Sequence, residues 1–191
     1  MSAIKRKAFY FEESGKQNTD DLLKIVREYI EKEDIDDIVV ASTTGETGAK
    51  ASKIFKGHNI VIVTHCFGFR KPGEIELEDE YRREILANGA RIFTGIHALS
   101  SVERAIRKDF GTVQPLELIA NTLRLMGEGT KVCVEIVLMA IDAGLIPVDK
   151  DIVAIAGTGR GADTALRIYP SNASRFFDLK IREVIAKPLD F

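Results

Sequence analysis

The sequence predicts an α/β fold: three layers, with helices on both faces of a mixed, mainly parallel sheet. Short β-branched apolar runs alternate along the chain with segments of helical periodicity. Several of those runs, at residues 38–41, 59–64 and 151–156, are apolar at consecutive positions, as strands buried on both faces are. The last two extended segments, 164–169 and 180–186, leave no room for helical crossovers, so both are expected as antiparallel additions. At 191 residues, 45% apolar and 29% charged, the chain suits one globular domain with a full core.

Residues 8–11 open the fold as a strand. A polar loop at 12–18, with Gly15 and Asn18, leads to Thr19 as a helix N-cap. Leu22, Leu23, Ile25, Val26, Tyr29 and Ile30 then follow at helical spacing to about Glu33. In a parallel sheet this loop opens on the same edge as the next strand exit.

That exit organises the chain. The strand at 38–41 runs directly into Ser42, Thr43, Thr44, Gly45, Glu46, Thr47 and Gly48, and a helix begins near Glu46. Strand, small polar loop and helix N-terminus is a layout that binds anions, because the first N–H groups of a helix lack internal partners and its dipole favours negative charge. No Gly-Lys-Ser/Thr follows, so this is not a Walker A loop. Thr43-x-x-Glu46 also matches a capping box, which would consume the same donors internally. Phosphate binding and capping both remain open at this point.

Residues 59–64 form the next strand, leaving through Thr64, His65, Cys66, Phe67 and Phe69. A helix at about 78–87 stops at Asn88-Gly89, and a strand at 90–94 leaves through His97. A second capping box, Ser100-x-x-Glu103, opens a helix to about 108. Pro115 suits the first turn of a helix to about 126. Residues 131–143 form a further, largely apolar helix closed by Gly144. The strand at 151–156 ends in Gly157, Thr158, Gly159, Arg160, Gly161, Ala162 and Asp163.

Gly157-x-Gly159-x-x-Ala162 formally fits a dinucleotide fingerprint. Pro170 and the short remainder leave no space for the required helix and βαβ unit, so a glycine-rich turn between strands is the better reading. Four loops, starting near Asn18, Ser42, Thr64 and Gly157, are thus expected at one sheet edge. They carry His65 and Arg160 as their conspicuous ionisable groups. His65 and His97 are read as packing histidines, and Cys66 as an inert thiol. Glu135 and Asp142, seven apart on the apolar helix, are expected on a face reaching solvent.

A net charge of −2 gives no footprint for nucleic acid. Two cysteines form no metal spacing or disulfide framework. The N-terminal stretch lacks the apolar core of a secretory signal, and no run is long enough to span a membrane. A cytoplasmic protein is the expectation, with no membrane partner. The Lys, Glu and Ile content without Trp fits a thermophilic source.

With the 42–47 loop, the Gly157-Thr158-Gly159-Arg160-Gly161 turn and the closing run 163–168 in view, the chain resembles the C-terminal α/β domain of pyruvate kinase. More closely, it is similar to small stand-alone archaeal proteins built on that domain alone. The order of these motifs along the chain carries the resemblance. In pyruvate kinases the loop equivalent to 42–47 holds, in many members, a phosphate of a sugar-bisphosphate activator. The stand-alone relatives are associated with flavin mononucleotide (FMN).

The resemblance therefore implies a phosphate-binding edge and FMN as cofactor. It implies no pyruvate kinase activity, since the catalytic barrel is not part of this sequence. Phe67 and Phe69 supply an aromatic surround for such a ligand. The binding residues expected from the sheet edge and the resemblance together are Asn18, Ser42, Thr43, Thr44, Gly45, Thr47, Gly48, Thr64, His65, Gly157, Thr158, Gly159 and Arg160, with no metal site. The partner expected is a small phosphorylated ligand. Self-association into a homo-oligomer stays open, as do a sensor role for a phosphorylated metabolite and enzyme chemistry through His65 or Cys66.

Overall fold

The computed structural model describes residues 3–191; Met1 and Ser2, the start of the charged N-terminal stretch, lie outside them. Seven strands form one sheet: β1 (Phe9–Glu13), β2 (Asp37–Ala41), β3 (Asn59–Thr64), β4 (Arg91–Thr94), β5 (Ile152–Ala156), β6 (Thr164–Tyr169) and β7 (Lys180–Asp190). Their order across the sheet is β1-β7-β6-β5-β2-β3-β4. The helices are α1 (Thr19–Glu33), α2 (Glu46–Ile54), α3 (Asp79–Ala87), α4 (Ser101–Phe110), α5 (Pro115–Arg124) and α6 (Glu128–Asp142).

Side chains alternate across the central strands, and each set fills one layer. Ile38, Val40, Ile60, Ile62, Val153 and Ile155 pack under Leu22, Leu23, Val26 and Ile30 of α1 and Ile85 of α3. Val39, Val61, Val63, Ile152 and Ala154 face Cys133, Val137, Leu138 and Ile141 of α6. This is why the central strands are apolar at consecutive positions between their ends. They are covered on both faces, as the sequence predicts.

The closing strands differ from the expectation in one respect. β6 is antiparallel to β5, because residues 157–163 are too few for a crossover. β7 is antiparallel to β6 but pairs parallel with β1. Two successive reversals restore the common direction, so β6 alone opposes the other strands. β7 also runs to Asp190, beyond the expected end at 186.

Both predicted capping boxes are absent. The N-cap of α2 is Gly45 and that of α4 is Ser100, neither with a side-chain cap bond. Glu103 instead accepts from the backbone N–H of Leu116 at 2.9 Å, tying α4 to α5. Thr19 is not a cap either. It is the first residue of α1, and its hydroxyl donates to the Lys16 carbonyl and accepts from the Ala162 N–H. α6 begins at Glu128, a turn earlier than periodicity suggests.

Candidate functional site

A single edge of the sheet, at the carboxyl ends of β2, β3 and β5, opens into a cleft of about 910 Å³. Ligands in open α/β sheets gather at this edge. Loops from one face and α4, α5 and α6 from the other supply the walls.

The 42–48 loop is built tightly. Gly45 has φ 104, and a Cβ there would lie 2.5 Å from the Tyr81 Cβ and 2.8 Å from Leu77, so only glycine fits. A Cβ on Gly48 would meet Ile62 at 2.7 Å, so its closeness to β3 seats α2 on the sheet. The Thr44 carbonyl accepts the Glu78 N–H, pinning the loop to the start of α3. Buried Ser42 accepts the Gly48 N–H at 3.0 Å. Ser42, three residues before the N-cap Gly45, thus does the capping work assigned by sequence to Thr43 and Glu46. The N–H groups of residues 43–47 have no protein acceptor among the described residues. These open donors run from the loop into the first turn of a helix, and Thr43, Thr44, Glu46 and Thr47 among them line the cleft, an arrangement suited to an anion. The carboxylates of Glu46 and Glu78, also on the cleft, work against it; Lys16 and Arg160 line the same cleft and offset them.

Lys16 and Arg160 are brought together by Asp163, which is fully buried. One Asp163 oxygen accepts the N–H groups of Gly15 (3.0 Å) and Thr158 (3.1 Å), and the other accepts the Thr164 hydroxyl. Gly161, at φ 75, lets this turn press on the first loop: a Cβ there would sit 2.5 Å from both Lys16 Cβ and Thr19 Oγ1. The glycine-rich segment is therefore a turn between antiparallel strands, not a dinucleotide fingerprint.

Beyond the loop lies an aromatic cluster. His65 and Phe69 stack with centroids 4.0 Å apart, and His97 lies 5.0 Å from Phe69 and 5.3 Å from His65. The Arg104 guanidinium sits 4.9 Å above the Phe69 ring. His65 Nδ1 lies 2.7 Å from Glu76, whose other oxygen is held by Arg70 at 2.9 Å. The carboxylate makes Nδ1 the protonated nitrogen, which turns Nε2 toward the Thr43 hydroxyl at 3.4 Å. Burial holds His97 below the ordinary imidazole pKa, against an opposing pull from Glu135.

Of the residues singled out by sequence, Ser42, Thr43, Thr44, Thr47, Thr64, His65, Gly157, Gly159 and Arg160 line the cleft. Gly45, Gly48 and Thr158 lie behind it as scaffold, and the Asn18 amide turns away to the Glu13 carbonyl. Phe67 is exposed outside the cleft, and Cys66 does not line it. Cys133 is fully buried, donates to the Ala154 carbonyl, and burial pushes its thiol well up.

Two expectations need correction. Glu135 does not face solvent: it is 4% exposed, lines the cleft, and pairs with Lys131, 6% exposed, one turn away. Asp142 is exposed as expected, and accepts from Asn172 and Ala173. The ionisable groups of the cleft also extend beyond His65 and Arg160. Arg104, together with Arg107, Arg124 and Lys131 and the latter three's partners Glu117, Glu128 and Glu135, comes from α4 to α6, which sequence order did not place at this edge. Among the described residues no cluster of His, Cys, Asp or Glu could hold a metal ion, and no helix is long and apolar enough to cross a membrane.

The family model of the pyruvate kinase alpha/beta domain matches residues 20–168. The chain belongs to that family. The match takes in the 42–48 loop, the aromatic cluster, α6 and the Gly157 turn, so the cleft apart from Lys16 lies on the family domain. A crystal structure of a pyruvate kinase from Cryptosporidium parvum is similar at 14% identity, with a TM-score of 0.39, over 78% of this chain. This chain spans 22% of the length of that pyruvate kinase.

Proposed function

We propose that this pyruvate kinase α/β domain protein binds a phosphate ester in the cleft, with FMN as the ligand. The observation that carries the reading is the run of open N–H groups at residues 43–47, at the start of α2. The hydroxyls of Thr43, Thr44 and Thr47 stand beside them on the cleft. Lys16 and Arg160 supply positive charge without a carboxylate partner among the described residues. The rest of the cleft suits a flat, partly apolar ring. Phe69, His65 and His97 offer aromatic faces, and Val63, Leu99, Ala120, Ile136 and Met139 an apolar lining. The volume is in the range of small-molecule sites. Bound FMN would bring one- or two-electron chemistry; the chain's own groups bind its phosphate, stack its ring and exclude water from it.

Charge-assisted hydrogen bonds to phosphate are worth roughly 1.5–3 kcal/mol each. Thr44→Val keeps the shape and removes one donor. It should weaken FMN by roughly ten- to a hundredfold and leave riboflavin, which lacks the phosphate, nearly unchanged. Flavin fluorescence titration of both ligands into wild type and variant measures this. Equal weakening of both would make Thr44 a structural residue only. A colourless protein that ignores flavins but is thermally stabilised by sugar phosphates would replace FMN by a phosphorylated metabolite.

A further inference from the structure

We infer that Lys131 is a second recognition point in the cleft, taking a carbonyl or carboxylate oxygen at the end of the ligand remote from its phosphate. The inference rests on the phosphate-ester reading and adds a chemical requirement to it: the ligand has an oxygen acceptor as well as a phosphate.

Lys131 and Glu135 lie one turn apart on α6 and line the cleft, yet both are more than nine-tenths buried. A buried ion pair adds little net stability, because desolvation of two charges offsets their attraction. Such a pair in a cleft wall marks a functional candidate. The hydrogen bonds show which partner is free to act. Glu135 Oε1 accepts the Leu99 N–H at 3.0 Å and Oε2 accepts Lys131 Nζ at 2.5 Å. Both carboxylate oxygens are therefore engaged, and Glu135 serves to aim the ammonium. Lys131 has three protons and, among the described residues, one acceptor. Its remaining donors belong to whatever occupies the cleft.

The neighbourhood supports an oxygen rather than a second phosphate. His97 makes no side-chain hydrogen bond among the described residues, stacks on Phe69 and lies tilted against His65. Val132, Ile136 and Met139 continue the same face of α6. Arg107 and Arg124 are paired with Glu117 and Glu128, so Lys131 and the Arg104 guanidinium over the Phe69 ring are the cations open to a ligand here, in a wall otherwise apolar and aromatic that fits the polar edge of a ring. A phosphate dianion would need several donors, and those stand at residues 43–47. α2 packs on one face of the sheet and α6 on the other, so the ligand would bridge the two across the strand ends.

The test uses Lys131→Met/Glu135→Gln. The single change Lys131→Met would strand a buried carboxylate and threaten folding; the Gln retains an acceptor for Leu99. Wild type and double variant are titrated with FMN and with riboflavin, and circular dichroism melting checks the fold. The expected result is a loss of about tenfold for both flavins, since the phosphate end is untouched. Unchanged affinities, or a loss confined to FMN, would overturn the inference. If wild type binds neither flavin, the FMN reading fails separately. The subsite is then probed by thermal shift with phenyl phosphate and 4-carboxyphenyl phosphate. A larger shift from the carboxylate in wild type, absent in the double variant, supports Lys131; equal shifts from the two compounds in wild type overturn it.

Discussion

His97 shows how one residue's surroundings set a measurable pH dependence. Its ring stacks on Phe69 and lies tilted against His65, and burial is the main cause of its lowered pKa. His65, Lys131 and Arg104 push it the same way, while Glu135 opposes them. The unfolded imidazole titrates near ~6.5. With a lower value in the fold, the unfolded chain takes up the proton first as pH falls. The stabilising contribution is then complete above about pH 6.5 and is lost as pH drops through the folded value. Melting temperature should therefore decline more steeply between about pH 7 and pH 5 in wild type than in His97→Gln. Parallel profiles for the two proteins would show that His97 titrates as it does in the unfolded chain.

At the scale of elements, the N-terminus of α6 is the tightest joint beside the cleft. Gly129 sits against Thr164 and Asp163, and a Cβ there would fall well inside contact with the Thr164 side chain. Thr164 is on β6, fully packed, and donates to Asp163, which in turn holds the Gly15 and Thr158 loops. Gly129→Ala improves helix propensity but forces α6 away from β6. Overpacking outweighs propensity here, for a net loss on the order of 1–2 kcal/mol. Urea unfolding measures it, and stability equal to wild type would mean the joint yields without cost. Because the same joint sets the cleft wall carrying Lys131, ligand affinity should fall with it. α4 stands at the other extreme. It buries no residue and is held to α5 through Glu103 and the Arg107–Glu117 ion pair.

For the molecule as a whole, membership of the family is one question and pyruvate kinase activity another, with its own test. The 191-residue chain carries the α/β domain of pyruvate kinases and no cluster of metal ligands among its described residues. Phosphoryl transfer from phosphoenolpyruvate depends on metal ions and positioned charges around the transferring group. The purified chain should form no ATP from phosphoenolpyruvate and ADP with magnesium present. A coupled assay showing turnover above background would contradict this.

The sequence by itself determined the class of fold, most element positions and the loop at residues 42–48. Those features are local: strand hydropathy, helical period, and glycines where a turn or close approach demands them. It also excluded a helical crossover after β5, because chain length alone forbids one. The direction of β7 was not local, since it depends on which strand lies on its far side; pairing with β1 decided it. Capping was misplaced for a related reason. Thr43 and Glu46 have the spacing of a box, but Ser42 reaches Gly48 only because Gly45 folds the loop back against Tyr81. Glu135 was half legible, as a carboxylate in an apolar helix paired on one face with Asp142, while its partner Lys131 was not singled out. Whether such charges meet solvent or a cleft depends on what covers the helix, and α4 and α5 settle that from outside it. Tertiary structure alone placed His97 on His65, Glu76 behind His65, and Asp163 between two loops. These contacts join residues far apart in the chain, where periodicity and spacing hold no information about distance.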